Sequence, residues 1–256
     1  GDNVLIEGED ALYKSEMYLI AQNDMQSPLT TPYSPSKIKL NAFGGGNWSS
    51  AHEKVTWTVD VPETALYRLS FRFKQNAQDG VRSYRRLYIN GVTPFAEAEK
   101  LSFAYADGWQ SLTFDYYILL EAGENTLTLE AVLGDSAEIL GQLQDAVLEM
   151  NNIYRSILMV TGSVPDAYRD YNLDTQIPDL MDRLNGVIAL MNSLSDNVLN
   201  NYGESNSLVA QLDTTIAQIQ KMADNPRDIA KSLTAFKNNI STIGSYISTF
   251  RSQSLT

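Results

Sequence analysis

Several stretches within residues 55–133 alternate apolar and polar positions with period two, the pattern of half-buried β-strands. Val55, Trp57, Val59 and Val61 interleave with Thr56, Thr58 and Asp60. After the Pro62-Glu63-Thr64 turn, Leu66 to Phe73 alternates in the same way. Arg86 to Ile89 runs into Asn90-Gly91, a hairpin-type turn signal. Leu112 to Leu119 forms a further strand, and Glu121-Ala122-Gly123-Glu124-Asn125 turns it into Thr126 to Leu133. Strands at this spacing with no helix between them predict an antiparallel β-sandwich or jelly roll.

Past Gly134-Asp135 the period changes to helical. Ile139, Leu140, Leu143, Val147, Met150, Ile153, Ile157 and Leu158 recur at three- and four-residue steps, with Asp135 or Ser136 as the cap. A link through Gly162 and Pro165 leads to a short helical turn at Asp166–Tyr171. Three more stripes follow: Leu180 to Leu194 after a first-turn Pro178, Leu208 to Met222, and Ile229 to Ile247 after Asn225-Pro226. Their short polar connectors, Asn201-Tyr202-Gly203 and Asp224-Asn225-Pro226, predict an up-down four-helix bundle. The fold class is α+β and multidomain, with a β-sandwich over 1–134 and a bundle over 135–256. All three tryptophans and six of the eight phenylalanines lie in the first part.

Composition narrows the function by exclusion. The net charge of −12 disfavours nucleic acid and anionic membranes as partners. The absence of cysteine removes disulfides and thiolate chemistry. No apolar run reaches the roughly 20 residues of a membrane span, so membrane insertion by this region is not expected. No signal peptide is present, and the start at Gly1-Asp2 reads as trimmed, with any leader or lipid anchor removed. The single histidine, His52, sits in a Ser49–Glu53 loop with no nucleophile elbow near it. Gly44-Gly45-Gly46 lacks the lysine of a phosphate loop, and no metalloprotease or dinucleotide motif occurs. The acids are scattered rather than paired as a glycosidase requires. The chain is not expected to be an enzyme. The sequons at Asn47-Trp48-Ser49 and Asn239-Ile240-Ser241 read as incidental in a protein of bacterial type.

Four segments, in order, resemble carbohydrate-binding modules of families 6 and 35. Val4-Leu5-Ile6-Glu7-Gly8-Glu9-Asp10-Ala11 is similar to their opening strand. Trp57 to Glu63 with Leu66 to Phe73 resembles their central hairpin, Leu87 to Gly91 the next strand and turn, and Glu121 to Leu127 the turn into the penultimate strand. Joined to a helical segment, the arrangement also looks like the N-terminal regions of extracellular solute-binding lipoproteins of gut Firmicutes. The resemblance implies a structural Ca²⁺ held by Glu7 and Glu9, and a glycan site in loops at one end of the sandwich. Sugar binding needs an aromatic face with amides or carboxylates beside it. Asn47 and Trp48, Asn76, Tyr84, and Tyr105 with Trp109 supply those groups and are the expected site. Trp57, within an alternating strand, is expected in the core.

The family's last strand is missing after Leu133, where Gly134-Asp135 enters a helix instead. Either the sandwich closes differently, or the bundle is inserted before that strand and the chain returns to the sheet near Ser252–Thr256; the second is favoured. The expected function is a non-catalytic, glycan-binding accessory region of an extracellular or bacterial cell-surface protein. It would belong to a sugar transporter's solute-binding protein and contact other domains of a larger parent. The alternative is a structural or protein-interaction module that keeps the jelly-roll frame without a sugar site. The bundle reads as a spacer or a docking surface.

Overall fold

The computed structural model describes residues 4–24, 27–32, 36–37, 40, 42–76, 81–202 and 207–255. The chain divides into two compact units, one of Gly1–Asp135 with Ser252–Thr256 and one of Ser136–Arg251.

The first unit is an antiparallel β-sandwich. Its strands are β1 (Tyr13–Lys14), β2 (Ala21–Gln22), β3 (Ala42–Phe43), β4 (Lys54–Val61), β5 (Ala65–Phe73), β6 (Ser83–Ile89), β7 (Leu101–Phe103), β8 (Gln110–Leu120) and β9 (Gly123–Val132). The larger sheet has the order β1-β4-β9-β6-β7, and β5 pairs with β8 in the facing sheet. β2 and β3 form a separate two-stranded ribbon. β9 is central because its register matches two neighbours at once: Thr128 lies opposite both Thr56 and Tyr88.

The alternation sorts the two faces as expected. Val55, Trp57, Val59 and Val61 point inward with Leu87, Ile89, Leu127 and Leu129. Tyr67, Leu69, Phe71 and Phe73 of β5 pack against them from the facing sheet. Phe103 takes Phe71 and Phe73 edge-on, with ring centroids 5.8 and 4.9 Å away. Among the described residues, no strand pairs with the second edge of β5.

Two local expectations are corrected. Residues 4–11 form no strand; Asp10 N donates to Glu7 O at 3.1 Å, closing a turn, and sheet pairing begins only when Leu12 N donates to Thr56 O. An alternating string is held extended only by a partner strand. Here the Gly8 carbonyl instead accepts the Trp57 indole N–H at 2.8 Å. The short helix after the first bundle helix is Leu173–Gln176, not Asp166–Tyr171.

The second unit contains α1 (Ser136–Thr161), α2 (Leu173–Gln176), α3 (Leu180–Tyr202), α4 (Ser207–Asp224) and α5 (Ile229–Leu255). The predicted stripes are its core: Leu143, Met150, Leu184, Met191, Leu212, Ile219 and Phe236 are fully buried. Side-chain contacts give the directions of the long helices. Ser136 at the start of α1 bonds Tyr202 at the end of α3, Tyr202 meets Phe250 near the end of α5, and Tyr246 reaches the start of α4. Consecutive long helices are therefore antiparallel, and the chain enters and leaves the bundle at the same end. Gly203 of the predicted connector lies outside the described residues.

Candidate functional site

β5 ends and β8 begins at the same end of the sandwich, because Phe73 lies opposite Gln110. The segments that follow β5 and β7 therefore meet there, and Ala106 N donates to Gln75 O at 2.8 Å to join them. Trp109 is half-buried, and its indole N–H donates to Asp24 Oδ2 at 2.7 Å. Lys74 Nζ lies 4.0 Å from the same oxygen. Tyr105 donates to Asp107 Oδ1 at 2.6 Å, and Asn76 is exposed beside them. Gln75 is buried and gives its amide N–H to Val81 O. Its Oε1, and Nε2 of Gln110, are buried with no hydrogen-bond partner among the described residues. Orphaned amide atoms are costly in a folded core. Aromatic rings, an exposed amide and a charge pair thus converge on one end.

Only part of the expected site is assembled. Asn76, Tyr105 and Trp109 come together, whereas Tyr84 does not lie in a loop. It is 2% exposed within β6, and Gly134 abuts its ring so closely that a Cβ there would lie 2.4 Å from Tyr84 Cγ. Gly134 has φ +55°, so glycine answers both the backbone and the space. Trp48 packs against the core through Phe43 at 6.0 Å and Trp57 at 6.4 Å. The Arg85 guanidinium lies 4.4 Å over its ring. Asn47 is exposed at the end of the short 3-10 turn Gly45–Asn47 that follows β3. Burial pulls the Arg85 pKa down to about 10, opposed by the charge of Glu53. Arg85 still remains cationic at neutral pH, giving its N–H groups to the Tyr84 and Trp48 carbonyls.

Glu7 and Glu9 flank the turn at Gly8 rather than sharing one face of a strand. Burial, then the charges of Glu7 and Asp10, raise the Glu9 pKa against the effect of a backbone hydrogen bond. A divalent cation would offset that repulsion, so the pair suits hard-oxygen chemistry in part. Among the described residues, no group of three His, Cys, Asp or Glu is placed to hold a metal. The remaining oxygens of a Ca²⁺ shell would have to be carbonyls or water.

A shallow concavity at the opposite end is lined by Leu66, Val92, Phe95, Tyr117, Leu119 and Glu121. Its amide, Asn90, is occupied, donating to Asn125 and accepting from Thr126 N. Its lining is mostly apolar, and the loop end brings more polar groups beside its aromatic rings.

Sequence reading missed a network built on Glu130, whose side chain is 5% exposed. His52 Nδ1 lies 2.7 Å from Oε1, Tyr88 donates to Oε2 at 2.5 Å, and Lys54 Nζ is 3.7 Å from Oε2. No local signal joins His52 to Glu130, because their contact depends on the β4–β9 register. Burial alone would raise the Glu130 pKa; Tyr88, His52 and Lys54 outweigh it and hold the carboxyl below its usual 4.5. A depressed folded pKa contributes stability above 4.5 that is lost as pH falls through the folded value. Denaturant titrations between neutral and acidic pH are expected to show this loss, with a smaller slope in Glu130→Gln. An unchanged slope would contradict the network's role.

Residues 138–253 match the family model of the bacterial solute-binding protein four-helix bundle domain. Among curated proteins, no relative matches the chain. Among solved structures, a Paenibacillus sp. cycloisomaltooligosaccharide glucanotransferase, complexed with cycloisomaltoheptaose, is similar at 22% identity and TM-score 0.38. That match covers 49% of this chain and 15% of the glucanotransferase. A family 35 carbohydrate-binding module from Clostridium thermocellum is similar at 19% identity and TM-score 0.37, covering 50% of this chain and 85% of the module. One from Cellvibrio japonicus has 16% identity and TM-score 0.35, covering 48% and 76% respectively.

Proposed function

We propose that this chain is a non-catalytic carbohydrate-binding region of a secreted or cell-surface bacterial protein, acting within a sugar transporter's solute-binding protein. The observation that carries the reading is that Trp109, hydrogen-bonded to Asp24 beside Lys74, Tyr105 and the exposed Asn76 lie at one end of the sandwich. A pyranose ring would stack its C–H face on an aromatic ring while the amides and charges bond its hydroxyls. The solute-binding description of the bundle model supports the transport setting. Binding is reversible and no bond is broken: Asp24 is tied to Trp109 and Lys74 and Asp107 to Tyr105, so neither stands free as an acid or base. No helix of the described residues is long and apolar enough to cross a membrane.

The bundle is an insertion before the last sandwich strand in this reading. Its entry and exit at one end and, among the described residues, the unpaired second edge of β5 support it, although Ser252–Leu255 form the last turn of α5 and not the returning strand expected there. The bundle then serves as a rigid spacer or dock for other domains of the parent.

Calorimetric titration against plant, host and bacterial glycans, with Ca²⁺ present, tests the sugar reading. Binding by at least one glycan is expected; silence across the panel overturns it. Burial of Tyr84 and the packing of Trp48 favour one competing reading, a structural or protein-interaction module on the same frame. Glu7 and Glu9 are assigned as two ligands of a structural Ca²⁺. The melting temperature is then expected to rise with Ca²⁺ over chelator, and to lose that dependence in Glu9→Gln. A wild-type protein indifferent to Ca²⁺ removes the assignment.

A further inference from the structure

The core of the sandwich is closed along β4 and open along β5. The inward residues of β4, Val55, Trp57, Val59 and Val61, are all buried, whereas Tyr67, Leu69, Phe71 and Phe73 of β5 are only half-buried. β8 pairs with one edge of β5 from Ala65 to Phe73. Among the described residues, no backbone or side-chain group bonds the N–H and C=O groups of the other edge. A long edge of this kind is a template for one more strand. Apolar surface runs up to it on the outer face as well, where Leu66 is 65% exposed opposite Leu119. Ser252–Leu255 are helical, so no strand of theirs competes for the place.

The sequence of β5 selects the occupant. A two-fold axis perpendicular to the sheet sets β5 antiparallel to β5 of a second copy. Inward residues then face inward ones only if the axis passes through a residue. Centring on Arg68 sets that side chain opposite itself, and centring on Ser70 sets Arg68 opposite Arg72. Leu69 is the midpoint of the nine-residue strand, and centring there pairs all of it with no like charges opposite. Leu69 meets Leu69 of the second copy, and Tyr67 meets Phe71, so the two open core faces close on each other. On the outer face Arg68 lies opposite Ser70, and the Arg72 stem covers the exposed Leu66. Within each copy Arg68 is paired with Asp115 at 3.3 Å, and Arg72 donates to Leu29 O at 2.6 Å. We infer that β5 is the interface of a two-fold homodimer, in which two β5–β8 pairs join into one four-stranded sheet. The charge of −12 on each copy opposes this at long range, and salt weakens that repulsion.

Sedimentation equilibrium of the whole chain, from about 1 μM to about 1 mM at about 0.15 M salt, is expected to show a monomer–dimer equilibrium. Ser70→Glu sets a carboxylate opposite Arg68 twice per dimer and is expected to tighten it about threefold to tenfold. Ser70→Arg sets like charges there and is expected to weaken it by a similar factor. Ser70 is exposed, so neither side chain enters the core. Hydrogen exchange of the unmutated chain reads the same edge without a substitution. The alternate β5 amides not bonded to β8 are expected to gain protection as protein concentration rises. The proposal is overturned if the chain stays monomeric throughout, or if neither Ser70 variant changes the dimer. It is also overturned if those amides are protected equally at every concentration, because a strand of the same chain then fills the edge. That outcome would favour the returning strand of the insertion reading, so the two are told apart.

Discussion

Trp109→Ala is expected to abolish measurable glycan binding at the loop end while leaving the sandwich folded, and Trp48→Ala to do the reverse. The difference follows from what each ring touches. Trp109 is held at the site by one hydrogen bond to Asp24, between the segments that follow β5 and β7. An aromatic ring that anchors a ligand contributes on the order of 2 kcal/mol or more, so its loss should weaken binding at least about 30-fold. Trp48 meets Phe43 edge-on and Trp57 at a tilt, and carries the buried Arg85 over its face. Removing it opens a cavity and strips a buried cation of its ring, at a cost of about 3–5 kcal/mol. Titration gives the first result and denaturant unfolding the second. Equal loss of binding in both variants, with equal stability, would mean that Trp48 also faces the ligand.

Phe236→Ala is the second large effect, expected to destabilise the helical unit by about 3–5 kcal/mol. Phe236 is fully buried, and its ring meets Tyr154 of α1 at 6.4 Å, so truncation leaves a void that neighbouring helices cannot fill. All three tryptophans lie in the sandwich unit, so their fluorescence reports on that unit, whereas the helical circular dichroism signal reports on the bundle. The helical transition should move to lower denaturant while the tryptophan transition stays. A joint shift would show that the two units unfold as one.

Much of this architecture is legible in the chain because periodicity records burial residue by residue. The strands from Val55 to Leu133 and the four apolar stripes appear close to their predicted positions. Each apolar position needs only the side it faces, a property of local spacing, to be read. The opening segment shows the limit. Val4 to Ala11 has a strand-like apolar and acidic string, yet no strand pairs with it, and the Glu7–Asp10 turn forms instead.

The candidate site divides along the same line. Loop position was enough to nominate Asn76, Tyr105 and Trp109. Sequence spacing does not show that Tyr84 is buried against Gly134, fifty residues away in the chain, or that the Trp48 ring packs on Phe43, Trp57 and Arg85.

Local spacing therefore carries the kind and length of each element, the change of fold after Gly134, and the exclusion of thiol chemistry. Strand order does not follow from it. The placing of β9 between β4 and β6 sets His52 and Tyr88 beside Glu130. Those contacts join residues far apart in the chain, and their closure is decided by packing of the whole sheet, which no short stretch of sequence encodes.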